Sequence, residues 1–242
     1  MNLILLEARD RVGPEQVELT DARAAHLLTI LKVTEGQPVR VGWLDGPSGV
    51  GTVTSASEGR VTMRCVFEAE TPDRPRVDLL LALPRPKVLR RLWAQLAALG
   101  VGRIILTNAE RVERNYFDTN ILAEAAYRPL LIEGLQQARD TRLPIVSIHR
   151  QFKVLVEDQL DTLFPAGLRL ASDHRATGSA GAAASEHRGR RVLLAIGPEG
   201  GWNAFELALL EAHGFNAVGL GPRTLRVDTA CTALLAIVHA SL

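Results

Sequence analysis

Beyond residue 75 the chain alternates short, continuously apolar runs with amphipathic ones, and this alternation restricts the fold more than any other feature of the sequence. Val77–Leu83 reads as a buried strand, and Lys87–Leu99 as an amphipathic helix that stops at Gly100. Arg103–Thr107 is a second strand, and Asn120–Ala138 a long helix despite Pro129 within it. Leu168–Ala171 and Val192–Ile196 are further apolar runs. A helix over Ala204–His213, a strand over Ala217–Leu220 and a last helix over Thr229–Ala240 complete the series. Strands alternating with helices predict a parallel sheet covered on both faces, the α/β class. Gly178–Ser185 is small and polar, and is expected to be a flexible surface loop.

Before residue 75 the pattern differs. Pro38–Trp43, Gly49–Ser55 and Arg60–Phe67 are β-type runs separated by Asp45-Gly46-Pro47 and Glu58-Gly59. One helical stretch, Asp21–Leu31, interrupts them, with Thr20 or Asp21 as its cap. The two prolines and alternating charges of Glu70–Pro75 read as a linker. The expected organisation is a small β-barrel over 1–71 and an α/β domain over 75–242.

Charge divides unevenly along this boundary. Residues 1–72 hold 7 basic and 10 acidic side chains, and the remainder 21 and 17, so the larger domain carries the positive excess within a net charge of +1. Only Lys32, Lys87 and Lys153 are lysines. Arginine suits phosphate contacts, but a coding bias toward arginine gives the same excess. Two distant cysteines, Cys65 and Cys231, argue against a disulfide framework or a multi-cysteine zinc site, and no metal is expected. The N-terminal MNLILLEARDR is apolar for only a few residues, so neither a signal peptide nor a membrane span is expected there, and a cytoplasmic location is. The histidines have no metal-ligand spacing. His174 follows a strand and could border a ligand pocket, whereas His149, His187, His213 and His239 read as surface residues.

Two strand ends open into unusual loops. In Leu194–Trp202 an apolar strand runs into Gly197-Pro198-Glu199-Gly200-Gly201, and Asn203 is placed to cap the following helix. Ligands of α/β sheets bind where strands turn into helices, and glycines there allow close backbone approach. The second loop, Gly219–Thr229, also follows a strand and precedes a helix. It is a poor dinucleotide fingerprint, since the third glycine is missing and Pro222 removes a donor. A P-loop and a hydrolase nucleophile elbow are both absent. The loop offers Arg223, Arg226 and Asp228 beside a glycine turn, suited to a polar base edge and an anionic substrate.

These strings, LLAIGPEGGW and VGLGPRTLRVDTACTALLAI, closely resemble 16S ribosomal RNA uridine-N3 methyltransferases, a family in the SPOUT class of trefoil-knotted methyltransferases. The resemblance runs along essentially the whole chain. HLLTILKVTEGQPV and DGPSGVGTVTSA look like the family's PUA-like N-terminal barrel, and LALPRPKVLRRLWAQLAALGV like the first strand and helix of its knotted domain. The chain departs from the family pattern at Ala98, at Gln136-Gln137 and at Val227-Asp228.

The resemblance implies a PUA-like β-barrel followed by a SPOUT α/β domain with a deep trefoil knot, a homodimer, and 16S ribosomal RNA of the small subunit as partner. It implies S-adenosylmethionine as cofactor, held by Gly197, Pro198, Glu199, Gly200 and Gly201 and by Leu220, Gly221, Leu225, Arg226, Val227 and Thr229. The reaction is methyl transfer to N3 of an unpaired or flipped uridine. Arg226 or Arg223 is then the candidate to stabilise the uracil anion, and Asp228 or Glu199 to accept the N3 proton. Alternatively Asp228 caps the last helix and Glu199 orders its loop. Arg9, Arg11, Arg23 and Lys32 of the barrel, with Arg85, Lys87 and Arg223, are the expected RNA contacts. Methylation of another rRNA or tRNA nucleotide, or a non-catalytic role in ribosome assembly, are the competing readings. In the last helix, Leu234, Leu235, Ile237 and Val238 are candidates for a dimer contact or for the core.

Overall fold

A computed structural model describes residues 2–242, which fall into two compact units. One unit contains the residues up to Arg74 together with Ile132–Leu143; the other contains Pro75–Leu131 and Pro144–Leu242.

The first unit is a five-stranded sheet of β1 (Ile4–Leu6), β2 (Gln16–Leu19), β3 (Pro38–Trp43), β4 (Ser48–Ser57) and β5 (Arg60–Phe67), in the order β1-β3-β4-β5-β2. β1 and β3 run parallel, and the remaining pairs are antiparallel. Alternate residues of β5 (Val61, Met63, Cys65) point into one core with Leu6, Leu19 and Leu27. Each fully buried side chain of this kind stabilises the fold by about 1.5–3 kcal/mol. Leu27 comes from α1 (Ala22–Thr29), whose Asp21 cap accepts the Arg23 N–H at 2.9 Å. The Ile132–Leu143 segment is tied in by backbone and side chain: the Asp45 N–H donates to Thr141 O at 2.7 Å, and the Thr141 hydroxyl to Gly46 O at 2.6 Å.

The second unit is a six-stranded, wholly parallel sheet of β6 (Val77–Ala82), β7 (Val101–Thr107), β8 (Ile145–His149), β9 (Leu168–Ser172), β10 (Val192–Ile196) and β11 (Phe215–Val218). Its order is β11-β9-β10-β6-β7-β8. β6 and β10 are central and buried at every residue, as continuous apolar runs require. The exception, Asp78, is held by Arg191 Nη2 at 2.6 Å; burial nonetheless pushes its carboxyl above the usual range.

Helices connect the strands. α2 (Pro86–Ala98) has Pro86 at its first turn, where no amide hydrogen is missed, and buries Leu89, Leu92, Trp93 and Leu96 at helical spacing. Gly100, with φ +76°, supplies the left-handed residue just past its end. α3 (Glu124–Ala138) follows. Next come α4 (Phe152–Val154), a π turn (Leu155–Gln159) and α5 (Leu160–Leu163), then α6 (Ala180–Ser185), α7 (Ala204–Ala212) and α8 (Val227–Ser241). β11 lies at the sheet edge beyond β9, yet α8 packs on β10, β6 and α2, so residues 219–226 carry the chain back past β9.

Two expectations need correction. Gly178–Ser185 is no flexible loop: Ser179 caps α6, accepting the Ala182 N–H at 3.3 Å, and alanine is the best helix former. His149, His187, His213 and His239 are all half-buried and not open surface residues. His149 bridges Gln159 Oε1 at 2.7 Å and Ser147 Oγ at 3.0 Å. Burial lowers the pKa of His239. Of the four apolar residues in the last helix, Leu234, Leu235 and Val238 are buried in the core, and only Ile237 is exposed. Among the described residues no helix is long and apolar enough to cross a membrane, and no cluster of three or more His, Cys, Asp or Glu is placed to hold a metal.

Candidate functional site

The carboxyl ends of three adjacent strands, β11, β9 and β10, open onto one cavity of about 620 Å³. Its wall is built from Ser172–Arg175 at the end of β9, Ile196–Ala204 at the end of β10 and Val218–Gly221 at the end of β11. Arg223–Leu225, together with Val227, Ala230 and Leu234 of α8, closes it. The volume suits a small-molecule site, and the position matches the ligand crevice of open α/β sheets.

The glycine-rich loop is fixed from three directions. Its turn closes through the Gly201 N–H to Pro198 O at 2.8 Å, with Gly201 at φ +71°, a conformation that side-chain-bearing residues rarely adopt. Arg111 lines the cavity and donates to the Gly200 carbonyl. Glu199 accepts the Arg85 N–H at 3.1 Å, which joins the loop to the start of α2. Behind the loop, Asn203 and Glu206 form a capping box for α7, with reciprocal bonds of 2.8 Å. The buried Glu206 also accepts the Glu110 N–H at 2.7 Å. Trp202 is buried against Phe152, ring centroids 5.3 Å apart, and its indole N–H has no protein partner.

The second loop turns at Gly221, φ +90°, and enters α8 at Arg226. Asp228 is not the cap of α8. Helical geometry begins at Val227, which puts Asp228 one residue inside the first turn. There it accepts from Arg91 Nη2 at 3.1 Å and lies 3.4 Å from Arg226 Nε. A carboxylate near a helix N-terminus is favourable, and here it also anchors two guanidinium groups.

Of the cofactor candidates, Gly197, Pro198, Glu199, Gly200, Gly201, Leu220, Gly221, Leu225 and Val227 lie together on the cavity wall, as does Arg223. Among the described residues, Arg226, Asp228 and Thr229 are not on that wall; they sit beside it at the start of α8. His174 is on the wall. Its neighbours Asp173 and Arg175, ordinary charged residues with no motif of their own, are there too. Burial raises the Asp173 carboxyl, but hydrogen bonds from the side chain and backbone of Arg175 outweigh it and hold the pKa below the usual range. Arg111 had no sequence signal at all. It lies in the irregular stretch after β7, far from either glycine loop in the chain.

The cations proposed for RNA separate into two kinds. Arg85, Lys87 and Lys32 are exposed. Arg9 is exposed but pairs with Glu7 at 2.7 Å, and the Arg11 guanidinium lies 4.8 Å over the Trp43 ring. Arg23 is different. Its side chain is only 12% exposed, and its nitrogens bond Asp10 and Asp21 at 2.7 Å and the Leu5 carbonyl at 2.7 Å. Burial opposes its charge, and the two carboxylates overcome that and raise its pKa. Its donors are used within the barrel, so the structure removes it from the phosphate contacts.

Known proteins resemble this chain in sequence and in fold. A family model described as an RNA methyltransferase domain matches residues 71–239. A ribosomal RNA small subunit methyltransferase E from Treponema pallidum is 32% identical, with all of this chain and 91% of that protein aligned. A second, from Borreliella burgdorferi, is 25% identical over all of this chain and 98% of that protein. The crystal structure of a ribosomal RNA small subunit methyltransferase E from Neisseria gonorrhoeae, bound to S-adenosyl methionine, superposes with a TM-score of 0.77 at 20% identity, covering 99% of this chain and 97% of that one.

Proposed function

The chain belongs to the ribosomal RNA small subunit methyltransferase E family, and from that premise we propose that it methylates N3 of a uridine in 16S ribosomal RNA, with S-adenosylmethionine as donor. The observation that carries this reading is the single cavity walled by both glycine loops and the end of β9. Its residues fit the donor. The volume is adequate, the wall combines apolar side chains with exposed backbone, and the unpartnered indole N–H of Trp202 leaves a buried donor for a ligand acceptor.

S-adenosylmethionine, when bound, supplies a methyl group already activated on a sulfonium. The remaining task falls to the protein, because N3 carries a proton and is a poor nucleophile until it leaves. Glu199 is on the cavity wall with Oε1 held by the Arg85 N–H, which orients the carboxylate to accept that proton. The uracil then carries negative charge. Arg226, whose side chain is 70% exposed, stands in the chain between the wall residues Leu225 and Val227, pairs with Asp228 and can lie against that charge. Asp228 serves as a positioning residue, since two guanidinium groups already engage its oxygens.

The family resemblance extends the proposal to a trefoil-knotted second domain, with residues 219–226 as the threading segment, and to a homodimer. Mass mapping of small-subunit RNA from cells with and without the protein tests the reaction; the expected result is one uridine lighter by a methyl group in the deletion strain. An unchanged map would overturn the reading. Arg226→Ala should reduce kcat by about 100-fold, the size of a lost anion-stabilising donor, while most RNA affinity remains. If RNA affinity falls in proportion to rate, Arg226 docks the substrate instead.

A further inference from the structure

A second cavity, of about 320 Å³, lies beside the first and is not accounted for by the methyl donor or the target base. Asn203 contributes to both cavities. The stacked pair Phe152 and Trp202 forms the partition, Phe152 facing the smaller cavity and Trp202 the larger. The smaller one is lined by Phe205, by two cations, Arg114 and Lys153, and by two carboxylates: Glu110, which is exposed, and Glu206, whose oxygens are taken up by the Glu110 and Asn203 N–H groups. Phe205 is 58% exposed although it occupies the first turn of α7, next to a capping box that fixes the backbone there. A large aromatic ring left open in a concavity that also holds a guanidinium and an ammonium is the combination that holds one nucleotide of a single strand: a face for the base and charge for its phosphate. Lys153 has one exposed carboxylate neighbour, Glu157, at 3.8 Å, a contact that an incoming phosphate can replace at little cost.

We propose that this cavity binds a nucleotide flanking the target uridine, with its base on Phe205 and its phosphate on Arg114 and Lys153. The proposal rests on the reading of the larger cavity as the methyl-transfer site. The partition then gives it a mechanical consequence. A nucleotide seated on Phe205 bears on the helix whose cap, Asn203, and whose preceding residue, Trp202, belong to the methyl-donor wall. Recognition of the flanking nucleotide is thereby coupled to the position of the target base, and Phe205 becomes a specificity-determining residue.

The test uses the full-length protein and unmodified small ribosomal subunits. Binding is read without turnover, by fluorescence anisotropy of labelled enzyme, so wild-type methylation decides the reaction separately from this site. Phe205→Ala should weaken subunit binding about tenfold or more, the usual effect of removing a stacking platform. Phe205→Trp should restore it, and calorimetric affinity for S-adenosylhomocysteine should stay within about twofold in both. Replacing Arg114 and Lys153 by Ala together should lower the salt-dependence slope of binding by about 1.4, two single-strand phosphate contacts. Unchanged subunit affinity in folded Phe205→Ala overturns the proposal. So does unchanged affinity accompanied by a change in oligomer mass, which would make Phe205 a protein contact.

Discussion

The Arg23 guanidinium is held inside the first unit by two carboxylates and a backbone carbonyl. In the sequence Arg23 is one of four cations near the N-terminus of an acidic barrel, and nothing separates it from Arg9 or Arg11. In the fold its guanidinium joins Asp10, 13 residues away, to Asp21, two residues away, and reaches the Leu5 carbonyl as well. Asp10 is 4% exposed, so removal of its partner leaves a buried charge uncompensated. Arg23→Ala should therefore destabilise the protein by about 3–5 kcal/mol in urea unfolding, whereas Arg9→Ala, at a 71% exposed side chain, should change stability by about 0.5 kcal/mol or less. The acid limb carries the same signature. The Arg23 hydrogen bond holds Asp21 below its usual value of 3.8. The unfolded chain thus takes up this proton first, and stability present above that value is lost as pH falls through the lower folded one. Arg23→Ala should flatten this loss below about pH 4. A variant with wild-type stability and wild-type acid limb would restore Arg23 to the surface and to the RNA.

At the level of elements, periodicity was informative wherever an element was long or central. The run Val192–Ile196 coincides with β10, and Asn203 caps α7 as its residue type suggests. β1 and β2 are only three and four residues long, too short to show a period. β8 lies at the sheet edge with mixed exposure, so its sequence lacks the apolar continuity of β6. The glycine loops were legible because conformation restricts the residue type, whereas Arg111 and Asp173 reach the same cavity through ordinary side chains in irregular backbone. The last helix was legible as a helix but not in its sidedness. Leu234, Leu235 and Val238 face the core, leaving Thr232, Ala236, Ile237 and Ala240 exposed. If the proposed homodimer uses α8, this narrow face of small residues is what a partner helix can approach. Light scattering at micromolar concentration should give twice 26.3 kDa, and Ile237→Arg should shift the mass toward the monomer. A wild-type monomer removes the dimer. A dimer unaffected by Ile237→Arg moves the interface off α8.

Across the whole molecule, the question is which charges meet RNA when the net charge is only +1. Nucleic-acid binding responds to local cations and not to the total, because each neutralised phosphate releases its own counterions. With Arg23 withdrawn, the candidates form two sets of three: Arg9, Arg11 and Lys32 in the acidic first unit, and Arg85, Lys87 and Arg223 in the second. The second set is tied to the proposed reaction site by position. Arg223 is on the cavity wall, and Arg85 leads from β6 into α2 with its backbone N–H on Glu199. The first set is weaker electrostatically, since Arg9 already pairs with Glu7 and Arg11 stacks on Trp43. Subunit binding measured from low to moderate salt should separate the two. Replacing Arg85, Lys87 and Arg223 by Ala should lower the slope of log affinity against log salt by about 2, three contacts at roughly 0.7 each. Replacing Arg9, Arg11 and Lys32 should lower it by less, because Arg9 exchanges a carboxylate for a phosphate and releases fewer ions on balance. Equal reductions would mean that both units grip the backbone alike. No reduction from the second set would leave the methyl-transfer cavity without phosphate contacts at its rim, and the assignment of Arg85, Lys87 and Arg223 to RNA would fall.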